Sequence, residues 1–309
     1  MVVRWPGSLL GARISVGTQW EKQAMQDFGG RVAVVTGAAS GIGRALVGAL
    51  AQLEMKLVLA DVEAAALEEV ADALQGEGRS VLAVPTDVAQ ADSVAALAER
   101  AYEEFGAVHL LCNNAGVFAA GLSYEAPQSD YDWCFGVNVW GILNGLRSFV
   151  PRMLASGEPG HVVNTASMAA LTSVPFSAPY AMSKAAVLSL SESLYLEMQA
   201  RSASIGVSVV CPELFDTQIG WAERNRPAHL ERKDEEGASP EREGTEQAIK
   251  AATATGEEPG ILAQRIIEGV RENQLYVLAP EGDPWRNACN TRLDDLRAAR
   301  NPGGAVPGD

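Results

Sequence analysis

The sequence of 309 residues contains few of the side chains from which disulfide frameworks and metal sites are built. Its four cysteines are scattered without a CxxC pair, so we expect reduced thiols, as in a cytoplasmic protein. Its three histidines are far apart and lack the short spacing typical of metal ligands. The sequence therefore predicts structural or surface histidines and no metal site.

Long apolar runs and an excess of positive charge are also missing. No apolar stretch reaches the roughly 18 residues that a membrane-spanning helix needs. The 39 acidic residues outnumber the 24 lysines and arginines, which gives a net charge of −15. This balance argues against nucleic acid and anionic membranes as partners, because both are bound through basic surfaces. Residues 1–28 lack a strong apolar core, so we expect a loosely ordered extension rather than a secretory signal.

What the sequence does contain, from residue 31 onward, is a regular alternation of apolar runs with amphipathic helical patterns. The runs are apolar nearly throughout, as is typical of parallel strands covered on both faces. Such alternation predicts one α/β domain over residues 29–280, with a doubly wound parallel sheet of about seven strands and helices on both faces. The predicted strands are Val32–Val35, Lys56–Ala60, Ser80–Pro85, Val108–Cys112, His161–Thr165, Gly206–Cys211 and Leu275–Leu278. The predicted helices before the last strand are Gly43–Gln52, Ala64–Leu74, Gln90–Phe105, Asp130–Ala155 and Pro179–Arg201.

Two segments break this alternation. Residues 218–260 are highly charged and poor in large apolar side chains. We favour a solvated, partly mobile insertion there; a lid over a substrate pocket is the alternative, because long loops in compact domains are often functional. We interpret residues 281–309 as a C-terminal tail that is disordered after Arg300.

A cluster of glycines, TGAASGIG, follows the first predicted strand. Gly37, Gly41 and Gly43 stand between that strand and a helix. Glycines at such a turn let the backbone approach a pyrophosphate, which the free N–H groups of the helix then bind. Close packing of the helix on the strand, without any ligand, is the alternative at this point.

An acidic residue, Asp61, ends the second predicted strand. A carboxylate there is placed to accept hydrogen bonds from a ribose 2′-hydroxyl and to repel a 2′-phosphate. Val62 follows it and Ser40 precedes Gly41, where a basic residue would favour a phosphate. The three residues favour NAD over NADP. Taken alone, Asp61 is equally compatible with an N-cap of the following helix.

Tyr180 and Lys184 lie four residues apart and so share one helix face. An ammonium close to a phenol stabilises the phenolate and lowers its pKa, which would make Tyr180 a proton donor and acceptor for an alcohol or ketone. Ser167 closes an earlier strand, where its hydroxyl is placed to bind the substrate oxygen. Asn138 lies within a predicted apolar helix, which is unfavourable unless its side chain has a role such as holding a water molecule.

With these motifs in this order, residues 29 to about 217 resemble the classical short-chain dehydrogenase/reductase family. The resemblance implies a Rossmann-type fold in which Tyr180 is the general acid/base and Lys184 lowers its pKa and holds the nicotinamide ribose. It also implies that Ser167 positions the substrate and that Asn138 supports a proton relay. The implied NAD-binding residues are Gly37, Ser40, Gly41, Ile42, Gly43, Asp61, Asp87, Val88, Asn114, Ala115, Gly116, Tyr180, Lys184 and Thr217. Within this set, Asp87 and Val88 would contact the adenine and Thr217 the carboxamide.

One position departs from the family pattern. The sequence CPELFDT has Glu213 where the family usually has glycine after proline. We expect Glu213 to adopt an unstrained conformation and to point away from the cofactor, whereas a buried and unpaired carboxylate would contradict this expectation.

These features predict an NAD-dependent oxidoreductase that interconverts a secondary alcohol and a ketone. An NAD-binding sensor or scaffold without turnover is the main alternative, and a nucleotide-fold methyltransferase would not need Ser167 and Tyr180 at this spacing. A bulky hydrophobic substrate is suggested by apolar residues near the motifs, which could equally pack a lid or a subunit interface: Met168, Leu171, Val174, Phe176, Leu214, Phe215 and Trp221. The family resemblance also implies a homodimer or homotetramer through the helices Asp130–Ala155 and Pro179–Arg201, unless these helices only pack on the sheet.

Overall fold

A computed structural model describes residues 25–233, 238–302 and 307. Over these residues, seven parallel strands form one sheet in the order β3-β2-β1-β4-β5-β6-β7. The predicted doubly wound fold and the predicted strands are confirmed, with ends that shift by a residue or two. The strands are β1 (Val32–Thr36), β2 (Lys56–Asp61), β3 (Val81–Pro85), β4 (Leu110–Asn113), β5 (Gly160–Thr165), β6 (Ile205–Val210) and β7 (Tyr276–Val277).

Helices cover both faces of the sheet. The predicted helix over residues 130–155 is in fact interrupted by a π-helix, Phe135–Trp140, which separates α4 from α5. The α-helices are α1 (Gly41–Gln52), α2 (Ala64–Gly76), α3 (Ala91–Phe105), α4 (Gln128–Cys134), α5 (Gly141–Ser156), α6 (Ala178–Ala200), α7 (Pro240–Ala254), α8 (Pro259–Arg271) and α9 (Pro284–Arg297). Short 3₁₀ helices lie at Met168–Ala170, Ile219–Asn225 and Ala228–Leu230.

The hydrophobic core forms two layers, one on each side of the sheet. One layer holds apolar residues of α1, α2 and α8, and the other holds those of α3, α5 and α6. Met25 and Phe28, which are 1% and 4% exposed, pack into the first layer. These two residues of the predicted extension therefore pack with the core of the described domain. The expectation of a loose extension before them lies outside the described residues.

The charged insertion and the C-terminal segment both contain helices that the sequence analysis missed. Helix α7 begins after Ser239, whose hydroxyl accepts a hydrogen bond from the backbone N–H of Arg242 at 3.2 Å. Helix α9 begins after Asp283, whose carboxylate accepts one from the backbone N–H of Trp285 at 2.8 Å. Each helix therefore has an N-cap and a proline in its first turn, signals that the high charge of these segments obscured.

The strand order places a crevice at the carboxyl ends of β1 and β4, since the chain runs outward in opposite directions from these two neighbours. The segment after β6 rises over this crevice and returns next to its starting point, where Phe215 pairs with Glu257. The backbone N–H of Asp216 donates to the carbonyl of Glu257 at 2.8 Å, and the N–H of Glu257 donates to that of Leu214 at 3.2 Å. Among the residues that the structure describes, no helix has the length and apolar character to cross a membrane.

Candidate active site

The glycine-rich turn between β1 and α1 packs directly on the end of β4. Gly37 has a φ of +68°, and a Cβ atom placed on it would lie 2.9 Å from the Cα of Ala115. A Cβ on Gly43 would overlap the carbonyl oxygen of Gly37. Both positions require glycine, because no side chain fits between the turn and its neighbours. The packing alternative is thus correct for these two glycines, and it leaves the cavity side of the turn open to a ligand.

The N-terminus of α1 faces a large cavity. Ser40 is the N-cap residue, and its side chain does not cap the helix. Ser40, Gly41 and Ile42 all line the cavity. Helix N–H groups that are left without a side-chain cap carry partial positive charge, so this end of the cavity can bind an anion such as a pyrophosphate.

The carboxylate of Asp61 is fixed at the same edge of the cavity. Its Oδ2 accepts a hydrogen bond from the backbone N–H of Ala39 in the glycine turn, at 3.0 Å. Its Oδ1 accepts one from the N–H of Glu63, also at 3.0 Å, and Glu63 itself is the N-cap residue of α2. Asp61 therefore links the glycine turn to the start of α2 and holds a negative charge at the cavity wall.

Asp87 and Val88 form the next part of the wall, after β3. The Oδ1 of Asp87 accepts a hydrogen bond from the N–H of Ala89 at 3.0 Å, and the carbonyl of Val88 accepts one from the side chain of Asn144 at 3.0 Å. These bonds fix the two residues at one end of the cavity, next to Asp61.

Asn114 ties together three strand ends. Its Nδ2 donates to the carbonyl of Thr36 at 3.0 Å, and its Oδ1 accepts a hydrogen bond from Thr165 Oγ1 at 3.4 Å. The hydroxyl of Thr36 accepts the N–H groups of Asn114 and Ala115 at 3.0 and 3.1 Å. The sequence analysis missed Thr36 and Thr165; their place as the last residue of β1 and β5 was the available signal.

Tyr180, Lys184 and Ser167 converge on the middle of the cavity, where all three are lining residues. Helix α6 places the Nζ of Lys184 5.7 Å from the centre of the Tyr180 ring, and this nitrogen donates to the carbonyl of Thr165 at 2.9 Å. Ser167 follows β5 and hydrogen-bonds to Tyr180. The side chain of Phe118 packs edge-on against the Tyr180 ring, with centroids 5.1 Å apart.

Burial controls the proton affinities of this group. It raises the pKa of Tyr180 to about 12, although the hydrogen bond from Ser167 acts in the opposite direction. It also lowers the pKa of Lys184 to about 8. The expectation that the ammonium would lower the pKa of the phenol is wrong for this arrangement, because desolvation of both groups is the larger effect.

Asn138 is fully buried in the π-helix, and its amide is already engaged by protein groups. Its Oδ1 accepts the N–H of Val117 at 2.8 Å, and its Nδ2 donates to the carbonyl of Val117 at 3.0 Å and to Ser183 Oγ at 2.8 Å. Both N–H groups are used, and the amide oxygen retains one free lone pair, so the water-holding role stays a prediction. The side chain joins the chain beyond Gly116 to the first turns of α6, which carry Tyr180.

Comparison with known protein families identifies the family and its fold. The family model of short chain dehydrogenases matches residues 31–228. The chain belongs to the short-chain dehydrogenase family. This match covers β1 to β6 and all the cavity residues described above.

Several relatives are similar to this short-chain dehydrogenase over most of its length. C alpha-dehydrogenase from Sphingobium sp. strain SYK-6 is 36% identical over 255 residues, which are 82% of each chain. The 1-deoxy-11-beta-hydroxypentalenate dehydrogenase of Streptomyces arenae is 42% identical over 193 residues, which are 61% of this chain and 68% of the other. The crystal structure of a short-chain dehydrogenase from Burkholderia phymatum in complex with NAD is 40% identical, with a TM-score of 0.88 over 91% of this chain and 99% of that one. These similarities support binding of a nicotinamide dinucleotide.

The departure from the family pattern at Glu213 is accommodated by an ion pair. The backbone of Glu213 is free of the positive φ that would favour glycine, which confirms the unstrained conformation. Its side chain is only 5% exposed and its Oε1 accepts a hydrogen bond from Arg265 in α8. The carboxylate is thus buried but paired, and it turns towards α8. The partner Arg265 was not expected from the sequence.

Thr217 lies next to the glycine turn, so that a Cβ placed on Gly41 would be 3.1 Å from its side chain. The cavity, about 1010 Å³ in volume, is also lined by apolar residues, and we call the part of its wall that they form the apolar half. Five of the seven predicted apolar residues line the cavity, namely Met168, Val174, Phe176, Leu214 and Phe215, whereas Leu171 and Trp221 are not among its lining residues. The sequence analysis missed other apolar lining residues, among them Phe118, Trp133, Leu230, Ile249 and Trp285.

Residues 219–233 and α7 cover the apolar half of the cavity, and we call them the covering segment. The covering segment is anchored on Asp130. This residue of α4 is fully buried, and its Oδ1 accepts hydrogen bonds from Arg226 at 2.8 Å and Arg232 at 2.7 Å. The guanidinium of Arg226 also lies over the Trp133 ring, 4.1 Å from its centre. The described part of this segment is thus anchored and lines the cavity, which is compatible with the alternative of a lid; the choice between the two interpretations stays a prediction. No cluster of possible metal ligands occurs among the residues that the structure describes.

Proposed function

We propose that this short-chain dehydrogenase interconverts a secondary alcohol and a ketone with NAD(H), using Tyr180 as the general acid/base. The observation that carries the proposal is that Tyr180, Ser167 and Lys184 line one cavity together with the glycine turn, Asp61 and a set of apolar side chains. A cofactor bound at the glycine turn and an apolar substrate would therefore share a cavity with the proton-transfer groups.

The nicotinamide of the cofactor supplies the hydride acceptor or donor. In alcohol oxidation, the hydroxyl proton of the substrate passes to the Tyr180 oxygen, while Ser167 donates a hydrogen bond to the substrate oxygen. Lys184 remains mostly protonated at neutral pH, since its pKa is about 8. Burial disfavours the phenolate form that must accept the proton, and the ammonium, 5.7 Å from the centre of the Tyr180 ring, offsets only part of this effect. In ketone reduction the same proton moves back from Tyr180 to the substrate oxygen.

Asp61 supports NAD over NADP. Two backbone hydrogen bonds hold its carboxylate at the cavity wall. A 2′-phosphate placed against this carboxylate would face a like charge, whereas a ribose hydroxyl would find an acceptor. The related protein from Burkholderia phymatum was solved with NAD.

The apolar half of the cavity supports a bulky, largely hydrophobic substrate with ring character. Four aromatic side chains, Phe118, Trp133, Phe176 and Trp285, are among the lining residues. Aromatic walls favour flat or cyclic apolar groups over flexible polar chains. Two relatives are named C alpha-dehydrogenase and 1-deoxy-11-beta-hydroxypentalenate dehydrogenase. Both names are compatible with a bulky secondary alcohol as the substrate.

We further propose a homodimer or homotetramer. Met182 and Leu196 of α6 and Trp140 of the π-helix are all about half exposed on the single chain. Packing on the sheet alone leaves these side chains in contact with water, whereas a partner would cover them. Light scattering at micromolar concentration should give a multiple of 32.6 kDa, and a monomer mass would contradict the proposal.

The test of the chemistry is NADH formation by the purified protein with a panel of secondary alcohols graded by size and polarity. We expect turnover with NAD rather than NADP and with bulky apolar alcohols. Tyr180→Phe should abolish turnover and leave the affinity for NADH nearly unchanged. Substantial turnover by this variant would exclude Tyr180 as the acid/base, and NADH binding by the wild type without turnover of any alcohol would favour a sensor.

A further inference from the structure

A single carboxylate oxygen connects the covering segment to the cofactor half of the cavity. The Oε1 of Glu63 accepts hydrogen bonds from Arg224 Nε at 3.0 Å, Arg224 Nη2 at 2.6 Å and Asn225 Nδ2 at 2.8 Å. Glu63 lies two residues after Asp61, and the two donors belong to the 3₁₀ helix that follows Thr217. These contacts join parts of the chain that are more than 150 residues apart.

The guanidinium of Arg224 is oriented from within its own helix. Its Nη1 donates to the carbonyls of Gln218 and Trp221 at 3.1 and 3.0 Å, so only the opposite edge is left for Glu63. Arginine held in this way loses little side-chain freedom when it pairs with a carboxylate. The geometry therefore favours docking of the covering segment at Glu63.

Both sides of this contact belong to the cavity wall. Glu63, Arg224 and Asn225 line the same cavity as Asp61 and the glycine turn. Because the partners come from opposite sides of the crevice, their contact bridges it beside Asp61. A dinucleotide lying along the glycine turn would be enclosed beneath this bridge.

We propose that Glu63, Arg224 and Asn225 form a clasp that must open for NAD(H) to enter or leave, and that the clasp sets the rate of cofactor release. This inference rests on the proposed function for its placement of the ribose at Asp61. The three residues are positioning residues that act on the cofactor through the covering segment.

The second anchor of the covering segment indicates how the clasp opens. At Asp130 the paired side chains of Asp130 and Arg226 are 0% and 4% exposed, whereas those of Glu63 and Arg224 are 30% and 35% exposed. Water and salt weaken the more exposed pair first. The covering segment therefore opens at Glu63 and stays attached at Asp130, so cofactor exchange leaves the apolar half largely covered.

The test is the rate of NADH release, measured by stopped-flow fluorescence after displacement with excess NAD. Glu63→Gln keeps the size of the side chain and removes no helix cap, because the Glu63 side chain makes no capping hydrogen bond. We expect release about fivefold faster, the size of effect typical of a partly exposed ion pair. Arg224→Met should give a similar increase, and the double variant should be no faster than the faster single variant.

The matched control is Glu99→Gln, which removes the charge from another surface pair, with Arg152 at 2.7 Å, away from the cavity. Its NADH release should equal that of the wild type. A second measurement needs no cofactor: trypsin should cut after Arg224 faster in unliganded Glu63→Gln than in the wild type or the control.

Release from Glu63→Gln at the wild-type rate would overturn the clasp and leave the proposed function intact. A double variant whose NADH release is accelerated by the product of the two single effects would also overturn the clasp, since the two residues would then act independently. Failure of the wild type to bind NADH at all would refute the proposed function, and the clasp with it.

Discussion

Replacing Lys184 by methionine is expected to stabilise the protein while it abolishes turnover. The side chain of Lys184 is 3% exposed, and its ammonium donates to the carbonyl of Thr165. Burial lowers its pKa from 10.5 to about 8, so at pH 7 the folded chain holds a charge that its surroundings disfavour. Methionine has a similar length and no charge, and it removes this penalty.

The size of the effect follows from the pKa. A lysine whose pKa falls from 10.5 to about 8 on folding costs the folded state about 3 kcal/mol at pH 7, where it is protonated in both states. Methionine leaves the carbonyl of Thr165 without its donor, at a cost of about 1–2 kcal/mol. We therefore expect a net gain of about 1–2 kcal/mol in the free energy of unfolding.

The free energy of unfolding of the wild type should depend on pH through Lys184. Above pH 8 the folded chain releases the Lys184 proton, whereas the unfolded chain keeps it up to about pH 10.5. Wild-type stability therefore rises over this window, and the penalty falls to about 1 kcal/mol near pH 9.5. The advantage of the methionine variant should disappear there.

Urea unfolding of the unliganded protein at pH 7 and about pH 9.5, followed by circular dichroism, measures both effects. Lys56→Met is the control, because Lys56 is only partly buried at the start of β2 and lies over the Phe105 ring. This control should bring no stabilisation at either pH. A Lys184→Met variant that is less stable than the wild type by the same amount at both pH values would refute the reasoning.

Three further predictions concern other buried groups. Burial lowers the pKa of His161 to about 3, so the histidine takes up a proton in the unfolded chain well before it does so in the folded chain. The free energy of unfolding of the wild type should therefore fall by about 2 kcal/mol between pH 7 and pH 5. Urea unfolding of His161→Gln should show a much smaller fall over the same range. Gly43→Ala forces a methyl group against the carbonyl of Gly37 and should weaken NADH binding at least about tenfold in a fluorescence titration; wild-type affinity would contradict the packing. Asp130→Asn removes the charge that Arg226 and Arg232 share, so that Glu223 becomes their nearest described acid. The free energy of unfolding should fall by about 2–3 kcal/mol. An unchanged urea midpoint would show that the contact at Asp130 contributes little to stability.

The seven strands and their doubly wound arrangement could be predicted from the sequence because their signals are local or ordered along the chain. Buried parallel strands must be apolar on both faces, so all seven stand out as continuous runs. Of the predicted site residues from Gly37 to Lys184, all except Gly43 and Asn138 line one cavity, and their roles stay predictions.

The parts that were missed depend on contacts distant in sequence. Charged residues such as Arg226 and Arg232 suggest solvent exposure, and only the fold shows that they converge on the buried Asp130. The sequence suggested a water-holding role for the amide of Asn138 but not its contacts with Val117 and Ser183. The pKa of Tyr180 depends on how deeply the fold buries it, which a four-residue spacing to Lys184 does not reveal.

The backbone pairing of Phe215 with Glu257 has a consequence for engineering this chain. Two hydrogen bonds hold the two ends of the segment between these residues side by side, so the scaffold rather than the content of the segment fixes where the loop closes. The family model ends at residue 228, within this segment, whereas Ser167, Tyr180 and Lys184 precede it. Changes of sequence or length between the paired ends would therefore reshape the cavity wall without altering the strand ends and helix that position these three residues.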